Sequence, residues 1–163
     1  MADKLEVRII TPDHVVFSRK AESVSLPGML GDMEILPNHV SLFSTIQPGQ
    51  VTVRSGEAQA IFAVGIGFLE VNANIVKILV DSAEGNANID TEAERRLIEE
   101  AEDKLKNLDS EDVETRFAFE TQLATAKARI EVFERTGGEN EGAKNFSRFI
   151  EPIAPDKPLN PGN

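Results

Sequence analysis

His14 and His39 are the only imidazoles in the 163 residues, and there is no cysteine, tryptophan or tyrosine. Side chains able to do chemistry are therefore few. A disulfide framework and a thiolate metal site are excluded. The two histidines are not spaced as ligands on one helix, so a zinc site would have to be built from carboxylates. Gly65 and Gly67, in VGIGFLEV, lack the third glycine of a dinucleotide loop and lead into a strand. No glycine-rich loop ends in Lys-Ser or Lys-Thr, and no nucleophile sits in a recognisable elbow. The acid pairs Glu99-Glu100 and Glu102-Asp103 fall on a helix face, where water solvates them. Reactive types crowd together only in LPGMLGDMEILPNH, Leu26 to His39, with two Leu-Pro pairs, two glycines, two acids and a histidine. Such a stretch is either a spacer between strands or a surface built to hold something.

The elements that must position this stretch read as strands over the first 86 residues. LEVRII alternates apolar and polar residues, and Thr11-Pro12-Asp13 is a turn signal. HVVFS and AESVSL follow, with Val15, Phe17, Val24 and Leu26 expected to point inward. QVTVRS alternates strictly, and Ser55-Gly56-Glu57 is a hairpin-type turn before AQAIFAV. GFLEV and NIVKILV complete the set. Turn signals every eight to twelve residues, with no helix-length crossover, predict a sandwich or barrel. Burying the alternate Val, Ile, Leu and Phe side chains contributes about 1.5–3 kcal/mol each.

The period then changes. Thr91-Glu92-Ala93-Glu94 matches a capping box. Ala93, Leu97, Ala101, Leu105 and Leu108 form one apolar stripe. Ser110 caps a second helix, whose seam is Val113, Phe117, Leu123, Ala126, Ile130 and Phe133, and Thr136-Gly137-Gly138 ends it. The predicted fold is α+β, mainly β: an antiparallel β-sandwich at 1–86 and an antiparallel helical hairpin at 87–137. An extended tail at 138–163 follows. The hairpin stripes are narrow and rich in alanine, so the hairpin must pack on something.

Net charge is −11. That balance disfavours binding to nucleic acid or anionic lipid by simple electrostatics. Residues 1–86 carry 6 basic and 10 acidic residues, and 87–163 carry 11 and 18, which fits exposed helices in the second half. Residues 1–20 hold no uninterrupted apolar run, so neither a signal peptide nor a membrane span is expected there.

In this order and spacing, TPDHVVFS, LPGMLGDMEILPNHVSLFSTIQPGQVTV, AVGIGFLEV and VKILVDSAE resemble the epsilon subunit of F-type ATP synthases, called delta in mitochondria. The resemblance runs from about Leu5 to Thr136. It implies a non-catalytic rotor component of a proton- or sodium-driven synthase. Such a subunit links the gamma shaft to the c-ring and inserts no segment into the membrane. In bacteria it is peripheral, on the cytoplasmic face of the inner membrane. The resemblance places Met29, Gly31 and Asp32 at the ring and His39, Val40, Ser41, Leu42 and Phe43 at gamma. It departs from the family pattern at Asn38, where glycine is usual, at Ser41, where proline is usual, and at Asp32, where glutamate is common. It also implies that the hairpin can reach alpha and beta subunits and inhibit hydrolysis through Arg116, Lys127, Arg129 and Arg135. Family members that bind ATP open the first helix with Ile-Asp-x-x-Arg-Ala. Here Asp90 is kept but Ala93 replaces the arginine and Glu94 the alanine, so no ATP site and no cofactor are expected. Two other classes stand beside this one: a free-standing β-sandwich binding module with a helical dimerisation hairpin, and an enzyme using His39 and Asp32.

Overall fold

The structure, a computed structural model, describes residues 3–85, 88–109 and 111–136. The expected tail at 138–163, the Gly137-Gly138 stop and the Ser110 cap lie outside these residues.

Ten strands precede two helices: β1 Leu5–Ile10, β2 Val15–Ala21, β3 Ser23–Gly28, β4 Gly31–Ile35, β5 Leu42–Ile46, β6 Gly49–Ser55, β7 Ala58–Val64, β8 Gly67–Asn72, β9 Ile75–Val80, β10 Ala83–Gly85, then α1 Thr91–Asn107 and α2 Val113–Arg135. The expected mainly-β sandwich followed by a helical pair is what forms. Hydrogen bonding runs β10-β7-β6-β3-β5-β8-β9-β1-β2, with β4 paired to β3 off this path. The two layers join where Gly28 of β3 pairs with Ile46 of β5. Every strand pair is antiparallel except β1 with β9. That exception qualifies the expected all-antiparallel sandwich. A parallel pair needs a long connection, and β1 and β9 have seven intervening strands to supply it.

Alternation explains the core. Leu5, Val7 and Ile9 of β1, Leu69 and Val71 of β8, and Val76 and Ile78 of β9 meet Val24, Leu26, Val51 and Val53 from the facing layer. Val24 and Leu26 are buried as expected and Phe17 is half-buried, its ring edge-on to Phe62 at 5.3 Å. Val15 is not inward but 55 % exposed. The ladder between β1 and β2 shifts register at Ile9 and Ile10, and Val15 falls at that irregular end. Tight turns carry the hairpins. Gly56 has φ 58° between paired Ser55 and Ala58, and Ala73 and Asn74, both at positive φ, link Asn72 to Ile75. Two central residues at φ > 0 suit the right-handed twist of the flanking strands.

Gly67 is held by close approach rather than by its own freedom. A Cβ there would strike the Leu79 carbonyl oxygen and lie 2.7 Å from the Val80 Cα. Gly65 is similarly crowded by the Asp81 carboxylate and the Ser82 hydroxyl. The glycines that failed a dinucleotide fingerprint are thus explained by packing: Gly67 against the β9 backbone, and Gly65 against side chains of the segment that follows β9.

The helix caps differ from the expected ones. Asp90, not Thr91, is the N-cap of α1, its carboxylate accepting from the amides of Glu92 at 3.1 Å and Ala93 at 3.2 Å. Glu94 is drawn away from a capping role by Arg129, which donates to it at 3.0 Å. Asp112 caps α2, accepting from the Thr115 amide at 3.0 Å. Hydrogen bonding from the Thr115 side chain first, and then from its amide, lowers the Asp112 carboxyl below its ordinary value of 3.8 and outweighs the opposing effect of burial.

The hairpin seam also needs correction. Val113 and Phe117 are 71 % and 59 % exposed. The step from Phe117 to Leu123 is six residues and leaves the stripe, whereas Phe119, Leu123, Ala126 and Ile130 keep a 4-3-4 spacing. Phe119 is half-buried, with the Lys104 ammonium of α1 5.1 Å from its ring centre. A second face of α2, Ala128 and Val132, packs on Ile61 and Ala63 of β7 together with Ile89. The hairpin therefore lies on the sandwich.

Candidate interaction surfaces

The stretch that opened the question folds into a β-hairpin and a following loop. Leu26 pairs with Met33, Pro27 with Asp32, and Gly28 with Gly31, leaving Met29 and Leu30 as a two-residue tip. Gly31 has φ +126°, a backbone that side chains rarely adopt. At Gly28 a Cβ would collide with Met33 Cε and lie 2.9 Å from the Gly31 carbonyl oxygen. Both glycines are needed to close the turn. Met29 is 67 % exposed and Leu30 fully so, while Asp32 stands exposed beside them. The Thr45 hydroxyl of β5 donates to Met29 Sδ at 3.4 Å and steadies that side chain.

Beyond β4 the chain turns through Leu36 to Ser41. Asn38 has φ 65°, which explains how asparagine serves where a glycine is usual: among non-glycine residues it tolerates the left-handed region best. Its amide donates to Asn74 Oδ1 at 2.6 Å and its side chain to Asp3 at 3.0 Å. His39 Nδ1 lies 2.7 Å from the Val40 carbonyl, a contact in which the ring nitrogen must be the donor. Ser41 donates to Asn72 Oδ1 at 3.2 Å. Val40 is exposed and Leu42 half-buried, and Phe43 stacks on Phe68 of β8 with ring centres 5.6 Å apart.

Asp32 is near the start of β4 and His39 lies beyond its end at Ile35, so the strand itself separates them. Asp32 to Ile35 alone spans about 10 Å at a strand rise of ~3.4 Å per residue. Neither residue has the other among its hydrogen-bond partners. No cluster of three metal-ligating side chains occurs among the described residues.

What joins the two ends is apolar. On the outer face of β5, β8, β9 and β1, Thr45 is opposite Phe68, Phe68 opposite Leu79, and Leu79 opposite Ile10. These side chains and Met29, Ile66 and Phe117 border a groove of about 640 Å³ between the sheet and the first half of α2. Sequence reasoning named Met29 and Phe43 but missed Leu30 and Phe68. A large apolar residue inside a glycine-bounded turn was the available signal for Leu30. None existed for Phe68, whose outward direction depends on the register of β8.

The basic residues of α2 are mostly engaged inside the chain. Lys127 pairs with Glu102 at 3.3 Å, Arg129 with Glu94 and Glu84, and Arg135 with the side chain of Gln50. Arg116, half-buried, makes no side-chain bond among the described residues.

A family model described as the beta-sandwich domain of the ATP synthase Delta/Epsilon chain matches residues 4–86. The "ATP synthase epsilon chain" of Synechococcus elongatus is 35 % identical over 127 residues, covering 78 % of this chain and 93 % of that one. That of Gloeothece citriformis is 38 % identical over 135 residues, covering 82 % and 96 %. That of Myxococcus xanthus is 36 % identical over 125 residues, covering 76 % and 88 %. Among solved structures, a chain of the Euglena gracilis mitochondrial ATP synthase (OSCP/F1/c-ring, rotational state 1) superimposes with a TM-score of 0.67 at 22 % identity, covering 80 % of this chain and 81 % of that one. A chain of the Tetrahymena thermophila mitochondrial ATP synthase (central stalk/c-ring) gives 0.51 at 14 %, covering 80 % and 97 %. At these identities the structural likeness speaks for the fold.

Proposed function

The chain belongs to the ATP synthase delta/epsilon family, and from that premise we propose that it is a non-catalytic central-stalk subunit that grips the gamma shaft and rests on the c-ring. The observation that carries this reading is the exposed apolar strip running from Met29 and Leu30 past Phe68 to Phe43. Exposed apolar groups of this size, contiguous and rimmed by polar residues, suit a protein interface better than solvent. The two ends divide the work. The β3–β4 tip meets the ring, with the Asp32 carboxylate paired to a basic side chain of a ring loop. An interface partly closed to water strengthens such a pair. The loop from His39 to Phe43, with Phe68 behind it, meets gamma.

No helix among the described residues is long and apolar enough to cross a membrane. Association is peripheral, made through the ring, on the cytoplasmic face of a bacterial membrane. That placement draws on the bacterial relatives. The coupling ion, proton or sodium, is set by other chains.

Inhibition through the hairpin, by contacts of Arg116, Lys127, Arg129 and Arg135 with alpha or beta subunits, has a structural condition. Three of these four residues are already bonded within the chain, Lys127 to α1, Arg129 to α1 and β10, and Arg135 to β6, so Arg129 and Arg135 become available only once the helices leave the sandwich. Nucleotide binding is not part of the reading. Asp90 is occupied as a cap and Glu94 as the partner of Arg129.

Pull-down of the tagged full chain from detergent-solubilised membranes tests the proposal. Recovery of gamma and the ring supports it. A solitary protein that recovers neither would favour the free-standing binding module.

A further inference from the structure

We propose that Arg129 is the latch that holds the helical hairpin on the sandwich without any ligand, and that cutting it frees the hairpin while the sandwich stays folded. The inference rests on the folded hairpin alone and not on the assignment of partners.

One guanidinium joins three elements. From α2, Arg129 Nη1 donates to Glu94 Oε1 of α1 at 3.0 Å, and Nη2 lies 3.3 Å from Glu84 Oε1 of β10. The arginine and Glu94 side chains are 18 % and 9 % exposed, and Glu84 31 %, so water screens this cluster little. The apolar seat beside it is short, consisting of Ala128 and Val132 on Ile61 and Ala63 with Ile89, and the half-buried Phe133 packed against them. Most of α2 toward its start lies beyond that seat, with Val113 and Phe117 exposed. A second polar attachment, Gln50 between Glu131 and Arg135, is exposed and easily exchanged for water. The charge cluster is therefore the attachment whose loss the remaining contacts are least able to absorb.

The cluster is also incompletely satisfied. Arg129 Nε and Glu94 Oε2 are buried with no hydrogen-bond partner. A buried ion pair with orphaned atoms gains little over its hydrated parts, whereas removing one member strands the others. Departure of the hairpin relieves that stranding, because it returns both carboxylates to water. Such a device fixes position strongly while holding little net energy, which is what a releasable arm requires.

The absence of native cysteine permits a direct test in the full chain. Spin labels at Glu99→Cys on α1 and Glu57→Cys on the β6–β7 turn report their separation, and amide exchange reports α2 and the β1–β9 core separately. The parent gives one narrow distance. Arg129→Gln is expected to broaden it and to speed exchange in the last turns of α2 on the order of 100-fold, with β1 and β9 unchanged. Glu84→Gln removes only the sandwich-side leg and is expected to act in the same direction. Release by either variant over an intact β1–β9 core supports the latch. The proposal is overturned if neither variant releases the hairpin, or if release occurs only together with loss of protection in that core.

Discussion

Asn38 and Asp112 each owe their residue type to one local backbone demand. At φ 65°, Asn38 sits where an alanine Cβ costs roughly 1–2 kcal/mol and glycine costs nothing sterically. Asn38→Ala is therefore expected to lower stability in urea by about 1–2 kcal/mol, and Asn38→Gly by less. Equal losses would remove the backbone explanation. Asp112 gives a pH prediction with a definite sign. Its folded carboxyl is more acidic than the ordinary 3.8, so the charged form favours the capped helix. That contribution is complete above pH ~4 and is lost as pH falls through the lower folded value. Protection of the Thr115 amide, relative to its intrinsic exchange rate, should fall on acidification through that range, and Asp112→Asn should keep the cap without the pH dependence. For Asp32 the expectation is steric and electrostatic at once. On the proposed contact with a basic ring loop, Asp32→Arg would set a like charge there, so assembled complexes should pump less well or lose the ring. Wild-type coupling would show that Asp32 is not the contact.

At the level of elements, the longer strands with strict alternation were legible in the sequence, and short or irregular ones were not. LEVRII, QVTVRS and AQAIFAV became β1, β6 and β7 nearly as written, because period 2 leaves one answer for which face is buried. Strands β4 and β5 were not read at all. β4, GDMEI, does alternate, but over only five residues that begin inside a glycine-bounded turn, and in β5, LFSTI, Phe43 turns an apolar ring to solvent and so breaks the alternation. The helix caps slipped by one or two residues because Asp, Thr and Ser are all competent caps, and in the fold Asp90 takes the two free amides while Glu94 is bonded to Arg129. The same tertiary logic makes Gly67 a sharp test. Its Cβ would meet β9 backbone, which cannot move without breaking the β8–β9 ladder. Gly67→Ala is expected to destabilise the sandwich by about 1–3 kcal/mol in urea unfolding, the usual cost of overpacking. A loss within 0.5 kcal/mol, on the order of an ordinary surface change, would mean that β8 shifts freely.

For the molecule as a whole, the arrangement of apolar surface matters more than any single contact. The buried core already absorbs the inward residues of both layers, so the outward Phe43 and Phe68 contribute little to holding the sandwich together. Stacked rings exposed to water are costly to keep unless something covers them, and a dry aromatic pair near the centre of an interface carries a large share of binding energy. Stability and association should therefore separate. Replacing both rings, Phe43→Ser with Phe68→Ser, is expected to leave the urea midpoint close to that of the parent and to reduce recovery of gamma at least 10-fold, since loss of two hot-spot aromatics exceeds ~2 kcal/mol. Conserving the rings while changing the charge of α1, for example Glu99→Gln with Glu100→Gln, should leave recovery unchanged. Those acids lie on the exposed side of a helix whose main packing partner among the described elements is α2. If the double serine variant recovers gamma as the parent does, the apolar strip is not the grip. The shaft would then have to be held by the polar loop alone, through His39 and Ser41, whose side chains are already bonded within the chain.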